Sequence, residues 1–470
     1  MTTQTLESAQ YRLVEHYIEK LRRANLGLRD KRHNSNHWFQ QVEDDWAQIR
    51  SWQRWTATRS QSNRRCAQLC VHFGMDGDEY VSVRQSPTER LLWYRQALQA
   101  AQVCDDSERE RRLLYLVGTT AYQSGGYEEA EQCSQQLLQA GRAAKDQQAQ
   151  GEGWFITGNL HSHRTELDAA EAAFHKAVKH FEKGGVEIMA GHAVQGLARI
   201  MIFRGNYDAA LKYATRYMQI IEAAGRESDY CLAYHTLSNI HTRLGNLQDA
   251  KSYAQNAVAI ARRLGYLRMI PSNVLMLGYA ELALEELDAA WGHFQEVVEA
   301  ARANSAAFDL TAATYSLGDV CLRRGQYAEA LRHYQDALAV AVESRIAAYR
   351  SLCAISMAQA HMRLHDSAAA QETLKTGAEV ALQIKSDILL AKALIPAMML
   401  WQALGKLEAA AELAGLLTLH TEHGEQKTVE PIAHELEATL GRTVYAAAAG
   451  RGQQRKLDEV VKALLAQLPA

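Results

Sequence analysis

Proline is scarce in this chain, with 5 in 470 residues, while hydrophobic residues make up 47%. An internal Pro costs a helix about 3 kcal/mol or more, so long helices are open to this sequence. The apolar content excludes a disordered polymer, and the composition does not fit a typical all-β chain. Cysteine is also sparse. The 7 Cys are scattered and odd in number, with no CxxC pair. Cys66 and Cys70 lie one helical turn apart, but no second ligand pair follows them, which argues against a disulfide framework and against a zinc module. Reduced thiols packed inside helices are expected, and with them a cytoplasmic location.

A surplus of charge is missing too. The 51 basic and 54 acidic residues give no overall field to hold nucleic acid or anionic lipid, so neither is expected as a direct partner. Residues 1–65 carry 12 Lys/Arg against 7 Asp/Glu, a local excess that reads as a solvated helical face. The opening "MTTQTLESAQ" has no apolar stretch of a secretion signal. The most apolar window, "AKALIPAMMLWQALG" (391–405), is too short to span a bilayer and reads as a core helix. No HExxH, GxSxG or GxxxxGK[ST] occurs. The expectation is therefore a non-catalytic chain without metal or cofactor.

What the sequence does contain is a period. Stepping by forty, Ala130, Ala170, Ala210, Ala250, Ala290, Ala330, Ala370 and Ala410 are all alanine. Twelve residues before each stand Gly118, Gly158, Ala198, Ser238, Gly278, Gly318, Ala358 and Met398, small in seven cases of eight. Five before the Ala come Gly125, Thr165, Gly205, Gly245, Glu285, Gly325, His365 and Gly405, a turn position where positive φ is cheap for Gly. Tyr or Leu mostly occupies the site three before it. Small residues allow two helices to approach closely, and the larger one plugs the space beside them.

This pattern resembles the tetratricopeptide repeat, and "YSLGDVCLRRGQYAEALRHYQDAL" (315–338) is close to its consensus. The resemblance implies an all-α, right-handed α-solenoid, a superhelix of helix-turn-helix units. The usual repeat is 34 residues with a Pro near its end; here the period is 40 and that Pro is absent. The six extra residues predict a longer second helix. Gly185, Gly225 and Gly265 should end those helices, Pro271 should sit in a first turn, and Pro396 should kink the helix it interrupts. His161 of "HSH", like His241 and His361 at the same repeat position, should face the partner helix rather than a metal. The expected organisation is a helical flank at 1–70, a degenerate repeat at 71–110, eight repeats at 111–430 and a helical cap at 431–470.

The flanks narrow the resemblance. "HWFQQVEDDWAQIRSWQRW" (37–55) carries Trp38, Val42, Trp46, Ile49 and Trp52 at helical spacing, a packing stripe. Ser86, Pro87 and Glu89 form a capping box. Val429, Leu436, Leu440, Val444 and Tyr445 are candidates to seal the last edge of the array. The N-terminal stretch "RLVEHYIEKL…HWFQQVEDDWAQIRSWQRW" and the tail "LGRTVYAAAAGRGQQRKLDEVVKALL" look like the segments that bracket the repeat region in bacterial signal-transduction ATPases with numerous domains, the STAND class. That resemblance implies a sensor arm that receives a peptide, protein partner or small-molecule inducer and controls an ATPase switch. With no phosphate-binding loop in the chain, the ATPase would stand elsewhere in a longer protein, be encoded separately, or have been lost.

In this repeat class the first helix of each pair lines the concave face. One row of such positions is Tyr115, Phe155, Gln195, His235, Leu275, Tyr315, Ile355 and Ile395; the next is Thr119, Asn159, Arg199, Asn239, Tyr279, Asp319, Gln359 and Met399. A merely solvated face would be rich in Lys and Glu. The candidate ligand-binding residues are Tyr115, Phe155, Asn159, Gln195, Arg199, His235, Asn239, Tyr279, Tyr315 and Asp319. Amides can hydrogen-bond an extended backbone while aromatics hold its side chains; the same set can enclose a small polar ligand. Three readings remain open from the sequence: a sensor module, a passive scaffold for protein assembly, and an enzyme or subunit whose site the motifs do not declare.

Overall fold

The computed structural model describes residues 3–29, 35–266, 269–304, 306–421 and 423–468. Among the described residues there are 25 helices and no strand, packed as consecutive pairs, and the fold is a tetratricopeptide-like solenoid. No helix among them is long and apolar enough to cross a membrane.

From Ser107 the helices keep strict time. Ser107–Gln123, Tyr127–Ala143, Gln147–His163 and Leu167–Lys183 each run 17 residues and are separated by three-residue turns. Ala307–Arg323 and Tyr327–Glu343 do the same. The expected longer second helix is not what forms. The added length is shared between both helices because a left-handed residue ends each one. That residue recurs every twenty positions: Gly125 (φ 83°), Lys145 (53°), Thr165 (59°), Gly185 (68°) and Gly205 (70°). Thr165, Glu285 and His365 adopt positive φ without being glycine, at a cost of about 1–2 kcal/mol each. The turn is locked by backbone bonds such as Glu166 N–H to the His161 carbonyl, 2.9 Å, the six-to-one closure of a Schellman motif. His161 also bonds the Glu166 carboxylate, so its side chain is spent on the same turn. Pro271 falls in the first turn of Met269–Ala283. Pro396 lies inside Asp387–Ala403, which is one continuous helix.

The small column has a steric cause. A Cβ on Gly158 would stand 2.8 Å from the Phe174 ring, and one on Gly318 would stand 2.6 Å from Tyr334. Both rings are fully buried, so the glycine makes room for the plug on the facing helix.

The chain divides into two compact units, Met1–Ile240 with Asn256–Ile270, and His241–Gln255 with Pro271–Ala470. In unit 1 the flank shares a core with the segment that follows it, through Val14, Leu21, Val42, Ile49, Phe73, Tyr80 and Trp93. Trp46 stacks on Trp93 at 5.7 Å, with Trp52 and Trp55 packed alongside; the Trp38 side chain lies outside the described residues. Ser86 caps Pro87–Val103 by accepting from the Glu89 N–H. In unit 2 the core closes on Val429, Ile432 and Leu436 of His423–Leu440 and on Leu457, Val460, Val461 and Leu464 of Leu457–Leu465. Val444 is 42% exposed and takes no part. The short helix Leu457–Leu465 seals in its place, since its apolar residues recur at helical spacing on one face.

Candidate ligand-binding site

Unit 1 encloses a cavity of about 450 Å³. Tyr115, Phe155, Asn159, Gln195 and Arg199 all border it, brought together because forty-residue spacing returns each to the same face of a first helix. The Phe155 ring packs edge-on to Phe174 at 6.0 Å, and the Tyr115 ring lies 5.3 Å from the Arg112 guanidinium. Gln195 donates to the Thr236 hydroxyl at 3.2 Å. Asn159 donates to the Phe155 carbonyl at 3.0 Å and accepts from Arg199 at 2.8 Å.

Arg199 differs from Arg112, Arg226 and His192, which border the same cavity. Arg112 pairs with Glu152 at 3.0 Å and faces Asp78 at 3.5 Å. Arg226 pairs with Glu79 at 3.0 Å and Asp229 at 2.9 Å, and His192 faces Asp229 at 3.3 Å. Arg199 has only the neutral Asn159 oxygen and no carboxylate among the described residues. Burial pulls its pKa down, opposed by the neighbouring Tyr122 hydroxyl. Burial also raises the Glu152 carboxyl to about 7, although Arg112 and Gln148 draw it back. Asp229 feels the same burial, but His192 and Arg226 outweigh it and leave it below the ordinary value. The Arg226–Glu79 pair joins the turn before Glu227–Arg243 to the short helix Asp78–Arg84 and so closes one side of the cavity.

Unit 2 carries a smaller cavity, about 170 Å³, bordered by Tyr315, Asp319, Ile355, Gln359 and Ile395 of the same two rows. Here the hydroxyl and the carboxylate of the rows are already partnered. The Tyr315 hydroxyl and Ser356 share a bond of 2.9 Å, and Tyr334 donates to Asp319 at 2.6 Å. Burial raises the Asp319 pKa, with the Tyr334 bond and Lys392 acting against it. Glu425 and Thr428 of His423–Leu440 complete the wall. Glu425 pairs with Lys392, and Lys427 reaches Glu285 at 3.4 Å, so the start of this helix spans the rows from the eighth repeat to the fifth. His235 and Asn239 are half-buried one turn apart on Glu227–Arg243. Tyr279 packs against Phe294 at 5.6 Å. These three border neither cavity.

The charged residues Arg112, Glu152 and His192 escaped the sequence reading. They stand at forty-residue spacing, three positions before the Tyr115 row, and the same stepping finds them. Arg226, Asp229 and Glu79 carry no such signal, since they meet only through the closure of the unit.

No family model matches the chain. It is 28% identical to the Tonsoku-like protein of Bos taurus over 187 residues, which are 36% of this chain and 14% of that protein; the matched stretch is thus a small part of that relative's length. Among solved structures it is similar to a Rap protein complexed with competence and sporulation factor, with TM-score 0.57 and 16% identity, covering 77% of this chain and 100% of that one. It is also similar to the apo quorum sensor NprR from B. thuringiensis, with TM-score 0.52 and 14% identity, covering 77% and 100%. A structure of NprR in complex with its cognate peptide NprX gives 0.50 and 14%, covering 76% and 98%. The shared feature is the tetratricopeptide-like fold.

Proposed function

We propose that this chain is a ligand-receiving repeat module whose unit 1 cavity takes an acidic peptide, and that it serves as the sensor arm of a STAND-type switch with its ATPase in cis or in trans. The observation that carries the reading is Arg199, a cation whose one hydrogen-bond partner is the neutral Asn159 oxygen, in a wall where Arg112 and Arg226 are paired with carboxylates. A ligand carboxylate supplies that charge, while Asn159 and Gln195 offer amides to a peptide backbone and Tyr115 and Phe155 offer apolar surface. NprR, which shares the fold, is known in complex with a peptide. A small polar acid is the second reading, favoured by a cavity volume within the usual range for small ligands.

Thermal shift against acidic peptides and small carboxylic acids tests this, because a ligand bound to the folded state raises the melting point. Arg199→Ala and Asn159→Ala should weaken binding of the hit by about 10–100-fold, the worth of a charge-assisted hydrogen bond. Full affinity in both variants sinks the assignment, and turnover of the hit would restore the enzyme reading. The switch role is tested separately, by searching the native reading frame and its neighbours for a phosphate-binding ATPase domain.

A further inference from the structure

The sixth repeat gathers three metal-binding side chains that take no part in either cavity. Cys321 lies on Ala307–Arg323, and Glu329 and His333 lie one turn apart on the facing helix Tyr327–Glu343. Their sulfur, carboxylate oxygen and ring nitrogen all fall within 4.8 Å of one another. None of the three borders the unit 2 cavity.

Neighbouring repeats break the trio. The same three columns hold Glu281, Ala289 and His293 in the fifth repeat and His361, Ala369 and Thr373 in the seventh. In the fifth, the carboxylate and imidazole satisfy each other, His293 Nδ1 to Glu281 at 2.7 Å. In the sixth, none of the three side chains hydrogen-bonds to a described residue; His333 makes only an edge contact with Trp291 at 5.6 Å. The nearby Arg324 does not compete for the site, because it pairs with Asp288 and lies 5.3 Å from the Trp291 ring.

We propose that Cys321, Glu329 and His333 form a binding site for a divalent transition-metal ion of the zinc type. Thiolate and carboxylate together balance a 2+ charge, imidazole adds a neutral donor, and this sulfur–nitrogen–oxygen set suits zinc or cobalt far better than magnesium or calcium. Three protein ligands leave a fourth position for water or an outside group. The thiolate is the ligand, so the ion displaces the thiol proton on binding, the S–H bond giving way to a metal–sulfur bond with one H⁺ released. Affinity therefore rises with pH.

Cobalt(II) titration of the full chain is the test. Binding should produce a sulfur-to-cobalt charge-transfer absorption that zinc(II) then removes by competition. Cys321→Ser should abolish the band. His333→Ala and Glu329→Gln should each weaken cobalt affinity at least tenfold, and Glu329→Gln alters one carboxylate without changing side-chain volume. Melting curves of the metal-free variants establish that they fold. The other six cysteines are free as well, so the Cys321→Ser result also locates the band. Absence of any cobalt band overturns the proposal. So does a band unchanged in Cys321→Ser, or an affinity unchanged in both His333→Ala and Glu329→Gln.

Discussion

Asn159 and Asp319 occupy the same place in the second and sixth repeats, four periods apart, and so do Phe174 and Tyr334. In unit 1 the plug is a phenyl ring with nothing to donate, and the Asn159 amide oxygen is left to hold Arg199. In unit 2 the plug has a hydroxyl, and that hydroxyl is spent on Asp319. One oxygen atom on the packing residue thus decides whether the concave residue beside it is available. The helix His423–Leu440 extends the contrast. It lays Glu425 and Thr428 against the unit 2 rows, whereas the unit 1 rows face a cavity more than twice as large. A repeat with uniform packing can therefore carry a receptive stretch and a self-satisfied one in the same chain.

The largest expected effect comes from uncovering unit 2. Leu436 is 1% exposed and anchors His423–Leu440. Leu436→Ala should cost about 2–5 kcal/mol, and amide hydrogen exchange should speed up in unit 2 while the helices of unit 1 keep their protection. Equal acceleration in both units would erase the distinction. Next comes the plug itself. Tyr334→Phe removes the Tyr334 hydroxyl from the half-buried Asp319 and should cost about 1–3 kcal/mol in chemical denaturation. Phe174→Tyr should leave stability within about 1 kcal/mol of the parent if the new hydroxyl finds Asn159, and it should weaken ligand binding by drawing that amide from Arg199. The smallest effect is one of pH. The folded chain holds a proton on Glu152 up to about pH 7, against an ordinary value of 4.5. The unfolded chain sheds that proton first, so stability falls as pH rises from 4.5 to 7. Glu152→Gln should remove a drift of about 2–4 °C in melting point across that window. The equivalent residue in unit 2 is Ala312, so the drift belongs to unit 1.

The alanine column and its small companions made the paired-helix solenoid readable, because close packing restricts residue type at those positions whatever the ligand. Helix length was harder to read. Asp105, Lys145, Arg345 and Lys385 adopt the left-handed turn conformation without being residues that advertise it, so the twenty-residue beat was hidden behind the forty. The concave rows could be written down by counting, and the counting brought Tyr115, Phe155, Asn159, Gln195 and Arg199 to one cavity wall. What counting could not supply is partnership. Arg112 and Arg199 look alike in sequence; the positions of Glu152 and Asp78 separate a neutralised guanidinium from an open one. The carboxylates that neutralise Arg226 come from the helix that follows it and from the short helix Asp78–Arg84, and no period links these to it.

The left-handed joints have a consequence for how such a chain can be lengthened or shortened. Most helices of the array end in the same left-handed bend, and these bends recur every twenty positions with or without glycine there, so two such joints forty positions apart are interchangeable seams. Cutting at Gly205 and Gly245, for example, would lift out a whole hairpin and bring Ile240's successor in the next repeat onto the same helical face. A gene could grow or trim this array by whole hairpins and keep every plug aligned with its socket, whereas an insertion of any other length would turn the concave rows away from the cavity they build.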